Sequence, residues 1–272
     1  MIGAIAGDTI GSVYEFDSNN IKTTDFPLFR AGSAFTDDSI MTLAVAKALL
    51  ESRGGTDEEI KTAVSAQMRA FGDAFPYAGY GGMFADWLYY KDMGPYNSFG
   101  NGSAMRVSAA GWVGTTMEEV LRLAELSACV THNHPEGIKG AQATAAAIFM
   151  ARKGESKDAV KNFIEDRFGY DLSATIDEIR PGYTMDETCQ GTVPQAITAF
   201  LEGNGFEDVI RLAISIGGDS DTIGAIAGSI AEAAYGVPRD IRRKTEERLD
   251  NALLAVLRHF EALYPAKITE CD

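Results

Sequence analysis

Apolar side chains recur every three or four residues along most of this chain, which is the spacing of a helix that buries one face. The pattern is long and regular in residues 249–263, and it returns in residues 160–168, 197–201 and 209–214. The alternating pattern of a half-buried strand is hard to find. The sequence therefore predicts an all-α protein.

Glycine and proline residues divide the chain into pieces of helix length joined by short connections. None of these breaks has the composition of a flexible interdomain linker, and 46% of the residues are hydrophobic, enough for a substantial core. We therefore expect a single helical domain over residues 1–272. The breaks fall at Gly54-Gly55, Gly94-Pro95, Pro135, Gly154, Pro181-Gly182, Gly203 and Pro238.

Two stretches, residues 3–12 and 217–234, are unusually rich in glycine and other small residues. Glycine inside a helix costs about 1 kcal/mol relative to alanine. Its repeated use therefore suggests close approach between backbones. We predict that these two stretches form central helices that cross tightly.

The charge balance excludes several classes of partner. With 24 basic and 39 acidic residues the net charge is -15, which would repel nucleic acid and anionic membranes.

The cysteines and the N-terminal segment bear on the cellular compartment. Cys129, Cys189 and Cys271 form no CxxC pair, a pattern that favours a reducing compartment. The start of the chain lacks the basic region of a signal peptide, and no apolar run approaches the roughly 20 residues of a membrane span. We expect a soluble, cytoplasmic monomer.

Two clusters of acids and hydroxyls each precede a helical segment, and each taken alone would be read as a helix cap. If the small-residue helices bring the clusters together, however, their carboxylates repel one another unless a cation lies between them. Oxygen ligands without His or Cys suit Mg²⁺, Mn²⁺ or Ca²⁺, and four carboxylates suffice for two such ions. The clusters are Thr36, Asp37 and Asp38, and Asp219, Ser220, Asp221 and Thr222.

Five motifs are spread over nearly the whole length of the chain. They are GAIAGD at residues 3–8 with Glu15 following, FTDDS at 35–39, GNGSAMR at 100–106, TH at 131–132 and GGDSDTIG at 217–224. Through these motifs the chain resembles the ADP-ribosylglycohydrolases of the dinitrogenase-reductase-activating type. The resemblance implies an all-α orthogonal bundle with two Mg²⁺ ions, or Mn²⁺ in their place, at the base of a cleft. It also implies that the metal ligands are Thr36, Asp37, Asp38, Asp219, Asp221 and Thr222.

The resemblance places Glu15 as an acid facing the scissile ribose. Read without it, Glu15 would be a solvated surface carboxylate. Glu15 or a metal-linked Asp221 is the expected general base, and Asp8 is expected to orient a water molecule bound to the metal.

The glycine-rich loop before residue 104 matches the ribose and phosphate loop of the family, and backbone N–H groups at the start of a helix suit a diphosphate. The residues expected to contact substrate are Asn101, Gly102, Ser103, Met105 and His132. Arg106 could assist or could be a structural ion-pair partner. Asn133 or His134 is expected to cap the helix that Pro135 begins.

The predicted function is a metal-dependent hydrolase that cleaves the glycosidic bond between ADP-ribose and a modified acceptor, such as an ADP-ribosylated protein. Two other functions stay open at this level. The protein could be a reader that binds ADP-ribose without hydrolysis, or a dinuclear phosphoesterase that acts on a nucleotide.

Overall fold

The computed structural model describes residues 1–269, and it confirms the all-α prediction: that part of the chain forms fifteen helices and two very short strands. Cys271 lies outside the described residues. The helices are α1 (Ile2–Gly11), α2 (Asp37–Glu51), α3 (Asp57–Ala74), α4 (Gly82–Tyr89), α5 (Gly102–Met105), α6 (Ser108–Val113), α7 (Met117–Ala128), α8 (Pro135–Lys153), α9 (Lys157–Phe168), α10 (Ile176–Ile179), α11 (Cys189–Glu202), α12 (Phe206–Ser215), α13 (Ser220–Tyr235), α14 (Arg239–Glu246) and α15 (Asn251–Leu263).

The periodic segments of the sequence correspond to α9, α11, α12 and α15. The last of these begins two residues later than the pattern suggests. Asp250 is its N-cap, and the Asp250 carboxylate accepts a hydrogen bond from the Ala252 N–H at 2.7 Å. Leu249 is buried in the turn before the helix. The apolar pattern therefore includes a buried residue that lies outside the helix.

The strands β1 (Val237–Pro238) and β2 (Ile268–Thr269) pair in parallel and connect the end of α13 to the C-terminal segment. These two strands do not form a separate sheet layer in the fold. Among the helices of residues 1–269, none is both long and apolar enough to cross a membrane.

The two glycine-rich stretches form α1 and α13, which cross in direct backbone contact as predicted. A Cβ atom added at Gly7 would overlap the Gly224 carbonyl, and one added at Gly3 would overlap the Gly228 carbonyl. The Gly3 N–H also donates to the buried Glu232 carboxylate at 2.8 Å. Side chains at these glycines would push the helices apart, so the sequence pattern directly sets the interhelical distance.

This crossing determines where the acidic residues lie. The C-terminal end of α1 meets the N-terminal end of α13, since a Cβ added at Gly11 would lie 2.5 Å from the Asp221 Cα. Residues 220–233 of α13 are all buried, and α13 packs on α8, α11 and α12 as well as on α1. The first turn of α13 is therefore held at the centre of the molecule.

Candidate active site

The two acidic clusters, far apart in the chain, line the same cavity of about 320 Å³. The Thr222 hydroxyl donates to the Asp38 carboxylate at 3.4 Å and so joins them directly. Of the residues singled out from the sequence, the cavity is lined by Glu15, Asp37, Asp38, Asn101, Gly102, Met105, Arg106, His132, Asp219, Asp221 and Thr222. Thr36 and Ser103 are not part of the lining.

The first turn of α2 is attached to α1 by one buried carboxylate. Asp8 accepts hydrogen bonds from the Thr36 N–H at 3.0 Å, the Thr36 hydroxyl at 2.8 Å, the Ser39 N–H at 3.1 Å and the Ser39 hydroxyl. Burial raises the pKa of Asp8 to about 6 although these donors lower it. With four donors, Asp8 serves to position the residues around Asp37 and Asp38.

Thr36 is the N-cap of α2, and its hydroxyl accepts the Asp38 N–H at 3.2 Å while it donates to Asp8. A hydroxyl has one proton and two lone pairs. One lone pair of Thr36 is therefore left for a further donor or a cation, even though the residue lies behind the cavity surface.

The turn before α13 needs two consecutive glycines. Gly217 and Gly218 have φ values of +79° and +70°, in the left-handed region that side chains disfavour. A Cβ at Gly218 would lie 2.8 Å from the Thr184 carbonyl oxygen. This turn brings Asp219 to the cavity, where the Asn101 side-chain amide donates to it at 2.6 Å. Asn101, expected to contact substrate, thus also orients an acid.

The carboxylates of the cavity repel one another. Burial, followed by the charges of neighbouring acids, raises the pKa of Asp38 and of Asp221 well above the usual range, and raises the pKa of Asp37 to about 7. The Asp38 Oδ1 atom is buried without a hydrogen-bond partner in the described part of the chain. Buried, unpaired oxygens of this kind are what a bound cation would satisfy.

Glu15 follows α1 and is half-buried at the cavity. Burial and the nearby charges of Asp219 and Asp37 raise its pKa to about 7. Glu15, Asp219 and Asp221 each offer an oxygen within 4.8 Å of the others, a group that could hold a metal ion. Glu15 was expected only as a catalytic acid or base, and the geometry adds cation contact as a second possible role.

The glycine loop contributes Gly102 and Met105 to the cavity, whereas the Ser103 side chain turns away from it. Ser103 is fully buried, and its hydroxyl donates to the Gly137 carbonyl at 2.7 Å. The Asn101 N–H donates to the Glu187 carbonyl at 2.8 Å. That N–H is therefore not available to a diphosphate.

His132 and Arg106 lie beside this loop. His132 is 5% exposed and Arg106 is 1% exposed, and burial together with the Arg106 charge holds the pKa of His132 well below its usual range. The structure gives Arg106 no ion pair within residues 1–269. His134, in contrast, caps α8 as expected: its Nδ1 accepts the Glu136 N–H at 3.1 Å.

Several lining residues were not among the site residues predicted from the sequence. They come from the α3–α4 connection and the first turn of α4, from the segment before the glycine loop and from the segment before α11. The glycine cluster at residues 79–82 was the one local hint, since glycines often allow a ligand to approach the backbone. The residues are Gly79, Gly81, Gly82, Met83, Phe84, Tyr96, Ser98 and Glu187.

The fold and the motifs have counterparts among known proteins. ADP-ribosylhydrolase ARH3 from Mus musculus is 26% identical, with 95% of this chain and 90% of that protein covered. ADP-ribosylarginine hydrolase Tri1 from Pseudomonas putida (strain GB-1) is 26% identical over 87% of this chain and 70% of that protein.

A solved structure described as an ADP-ribosylglycohydrolase-related protein complex superimposes with a TM-score of 0.61 and 26% identity, covering 94% of this chain and 96% of that one. The family profile for ADP-ribosylglycohydrolase matches residues 1–267. Because that match runs from the first helix to the edge of the last strand, the chain belongs to the ADP-ribosylglycohydrolase family.

Proposed function

We propose that this protein is a hydrolase that uses divalent cations to cleave the glycosidic bond between ADP-ribose and a modified acceptor. One observation carries the proposal: two acidic clusters about 180 residues apart in sequence line one cavity together with a glycine loop and His132. The same cavity thus combines candidate cation ligands with candidate contacts for a ribose and a diphosphate.

The donor set fits hard cations. The expected ligands are Thr36, Asp37, Asp38, Asp219, Asp221 and Thr222, all of which offer oxygen, as Mg²⁺ and Mn²⁺ prefer. The raised pKa values and the unpartnered Asp38 oxygen both indicate negative charge without compensation. When bound, two such ions would supply charge compensation and hold the ribose hydroxyls in a fixed orientation.

The remaining groups act on the substrate directly. Glu15 faces the cavity beside Asp221, and either carboxylate can accept a proton from the attacking water or from a ribose hydroxyl. Gly102, Met105 and His132 line the cavity beside the acidic clusters, and we assign the ribose and diphosphate to them. Asn101 orients Asp219 through a hydrogen bond from its amide.

The residues that line the cavity indicate less about the acceptor than about the other parts of the substrate. We propose that it is a side chain of an ADP-ribosylated protein or a small ADP-ribosyl compound. We also propose that the enzyme acts in the cytoplasm as a monomer and binds neither nucleic acid nor membranes. The high negative charge supports the last two points.

The test is release of ADP-ribose from arginine-linked and serine-linked ADP-ribosyl peptides, each with Mg²⁺, with Mn²⁺ and with a chelator. The unchanged protein should release ADP-ribose from at least one peptide, and only with a cation present. Asp37→Asn and Asp221→Asn keep the shape of the side chain and remove its charge. Each should remain folded and lose at least about 100-fold in rate.

The matched control is Asp158→Asn, which removes an exposed acid from α9, outside the cavity. It should keep full activity. Undiminished turnover in Asp37→Asn or Asp221→Asn would contradict the proposal. Tight ADP-ribose binding without release would indicate a reader, and release of phosphate from a nucleotide would indicate a phosphoesterase.

A further inference from the structure

Arg106 is a buried cation with an unusual set of partners. Its guanidinium is at the cavity, yet within residues 1–269 it makes no ion pair with a carboxylate. Its Nη2 group donates to the Thr131 hydroxyl at 2.7 Å, and its Nε atom is buried without a partner in the described chain. Burying a charge without a counter-ion is costly. The Phe84 ring lies 5.6 Å from the guanidinium carbon, but neither this ring nor Thr131 carries a counter-charge.

The hydrogen bond from Arg106 to the Thr131 hydroxyl fixes the direction of the next hydrogen bond, between Thr131 and His132. Within the described residues this oxygen has two hydrogen-bond partners, the Arg106 guanidinium and the His132 Nδ1 atom, the latter at 2.8 Å. A guanidinium can only donate. The Thr131 oxygen therefore accepts from Arg106, and Nδ1 of His132 is the one partner to which it can give its own proton.

If Nδ1 carried a proton instead, the Thr131 hydroxyl would accept twice, and its hydrogen would be buried without an acceptor, because Thr131 is fully buried. Unsatisfied buried donors are strongly disfavoured. His132 is uncharged because burial and Arg106 hold its pKa well below its usual range. A neutral imidazole that accepts at Nδ1 has its proton at Nε2.

The Nε2 atom of His132 faces the glycine loop. A Cβ added at Gly102 would lie 3.4 Å from Nε2, and one added at Gly100 would lie 3.5 Å from it. The absence of side chains at these two positions leaves space in front of this nitrogen. Both glycines and His132 line the cavity.

We propose that Arg106, through Thr131, locks His132 in the Nε2–H tautomer and so keeps a fixed hydrogen-bond donor pointed at the glycine loop. This donor binds an oxygen of ADP-ribose, a step that rests on the proposed function. A protonated Nε2 has no free lone pair, so His132 is not a cation ligand. Arg106 and Thr131 are positioning residues, and His132 is the residue that touches the substrate.

The tautomer can be measured without any substrate. Long-range ¹⁵N–¹H spectra of histidine-labelled protein distinguish a protonated Nε2 from a protonated Nδ1. The chain has three histidines, and a His132→Gln variant assigns the signal of His132. The expected result at neutral pH is a single Nε2–H tautomer for His132. A dominant Nδ1–H tautomer would overturn the proposal.

We call the hydrogen-bonded chain of Arg106, Thr131 and His132 the relay. The variant that breaks it is Thr131→Val, because valine has nearly the same shape as threonine but no hydroxyl. Nδ1 then loses its donor, and the two tautomers should become mixed. The Kd for ADP-ribose, measured by calorimetry, should rise roughly tenfold, the size of one well-placed hydrogen bond. Thr131→Ser restores the hydroxyl and should restore both the tautomer and the affinity.

The matched control is Thr144→Val, because the Thr144 hydroxyl is also fully buried but has no hydrogen-bond partner in the described chain. It should change neither the spectrum of His132 nor the Kd. If Thr131→Val likewise leaves both unchanged, the relay does not exist. A purely structural role of the Thr131 hydroxyl would lower folding stability in Thr131→Val without changing the tautomer of His132.

Arg106→Met tests the first member of the relay by removing its hydrogen bonds, and its folding is checked by circular dichroism. Without the guanidinium that fixes its orientation, the Thr131 hydroxyl is free to rotate away from Nδ1, and a fraction of the Nδ1–H tautomer should appear. Since loss of a buried arginine endangers folding, the Thr131 variants decide the matter if this one does not fold.

The outcome separates this proposal from the proposed function. Failure of the unchanged protein to bind ADP-ribose would contradict the function, while the spectrum of the ligand-free protein would still confirm or refute the relay. Binding of ADP-ribose with His132 in the Nδ1–H form would retain the function and refute the relay.

Discussion

Thr36 illustrates how much of a site depends on the direction of single hydrogen bonds. Its hydroxyl gives its proton to Asp8 and accepts the Asp38 N–H, which leaves one lone pair free. The sequence identified Thr36 as a candidate ligand, but it could not show that Asp8 orients the hydroxyl. That orientation depends on the packing of α1 against α2, which the local sequence around residues 8 and 36 does not indicate.

The same limit applies to Ser103 and Asn101. Both were expected to contact substrate because they belong to a motif. The Ser103 hydroxyl instead donates to Gly137 on α8, whereas Asn101 lines the cavity and its amide also donates to Asp219. A motif shows which residues belong together. It does not show which side of the loop each one faces, since that is decided by the helices packed around it.

Glu15→Gln tests the acid that most directly faces the cavity. Loss of the carboxylate should lower kcat by about 100-fold or more, the usual contribution of a general base. Stabilisation of the protein by Mg²⁺ should persist, since the candidate ligands from the two clusters remain. Steady-state release of ADP-ribose and thermal unfolding with and without Mg²⁺ measure the two effects.

Glu118→Gln is the matched control, an exposed acid in the first turn of α7 outside the cavity. It should behave as the unchanged protein does. If Glu15→Gln abolishes the effect of Mg²⁺ along with turnover, Glu15 is a cation ligand, as its position near Asp219 and Asp221 also allows.

At the scale of elements, the contact between α1 and α13 was predictable because its cause is local. Glycines recur at one helical face in each stretch, and a helix tolerates them there only when another backbone takes the space. The two small helices α5 and α6 were less predictable. Arg106 and Val107 separate these helices, and neither is a glycine or proline that would indicate a helix end in the sequence.

Gly7→Ala should destabilise the protein by more than about 3 kcal/mol, because the added Cβ overlaps the Gly224 carbonyl and neither backbone can move independently. Gly182→Ala is the matched control, since a Cβ at that exposed position meets nothing within 4 Å. Urea unfolding gives both free energies. Equal midpoints for the two variants would mean that the helices cross less tightly than described.

At the scale of the molecule, the acidic cavity makes stability depend on pH. Glu15 and Asp37 have pKa values raised to about 7 in the folded protein, above the value of about 4 expected for the unfolded chain. The folded state therefore binds their protons more tightly. The stability that this supplies is present below pH 4 and is lost as the pH rises through 7.

In the presence of a chelator, Tm should fall between pH 5 and pH 8. Saturating Mg²⁺ should raise Tm at pH 8 by roughly 5 to 10 °C and by less at pH 5, because the cation competes with protons for the same carboxylates. An equal ionic strength of NaCl is the control. A Tm that rises with pH in the presence of chelator, or a Tm that Mg²⁺ does not change, would contradict this account of the cavity.

We predict that residues 1–272 form one domain. Buried side chains from α1 to α15 form one continuous cluster. We therefore expect one cooperative unfolding transition, with the calorimetric enthalpy equal to the van't Hoff enthalpy. Two resolved transitions would contradict the prediction.

The helical class, the tight pair of helices and the candidate acids could be predicted from the sequence, because periodicity, glycine spacing and ligand chemistry are properties of short segments. The folded structure was needed to show that the two acidic clusters face one cavity, that Ser103 turns away from it and that Arg106, Thr131 and His132 form a chain of hydrogen bonds. Those relations join residues distant in sequence. Their geometry comes from the packing of whole helices, which no local pattern records.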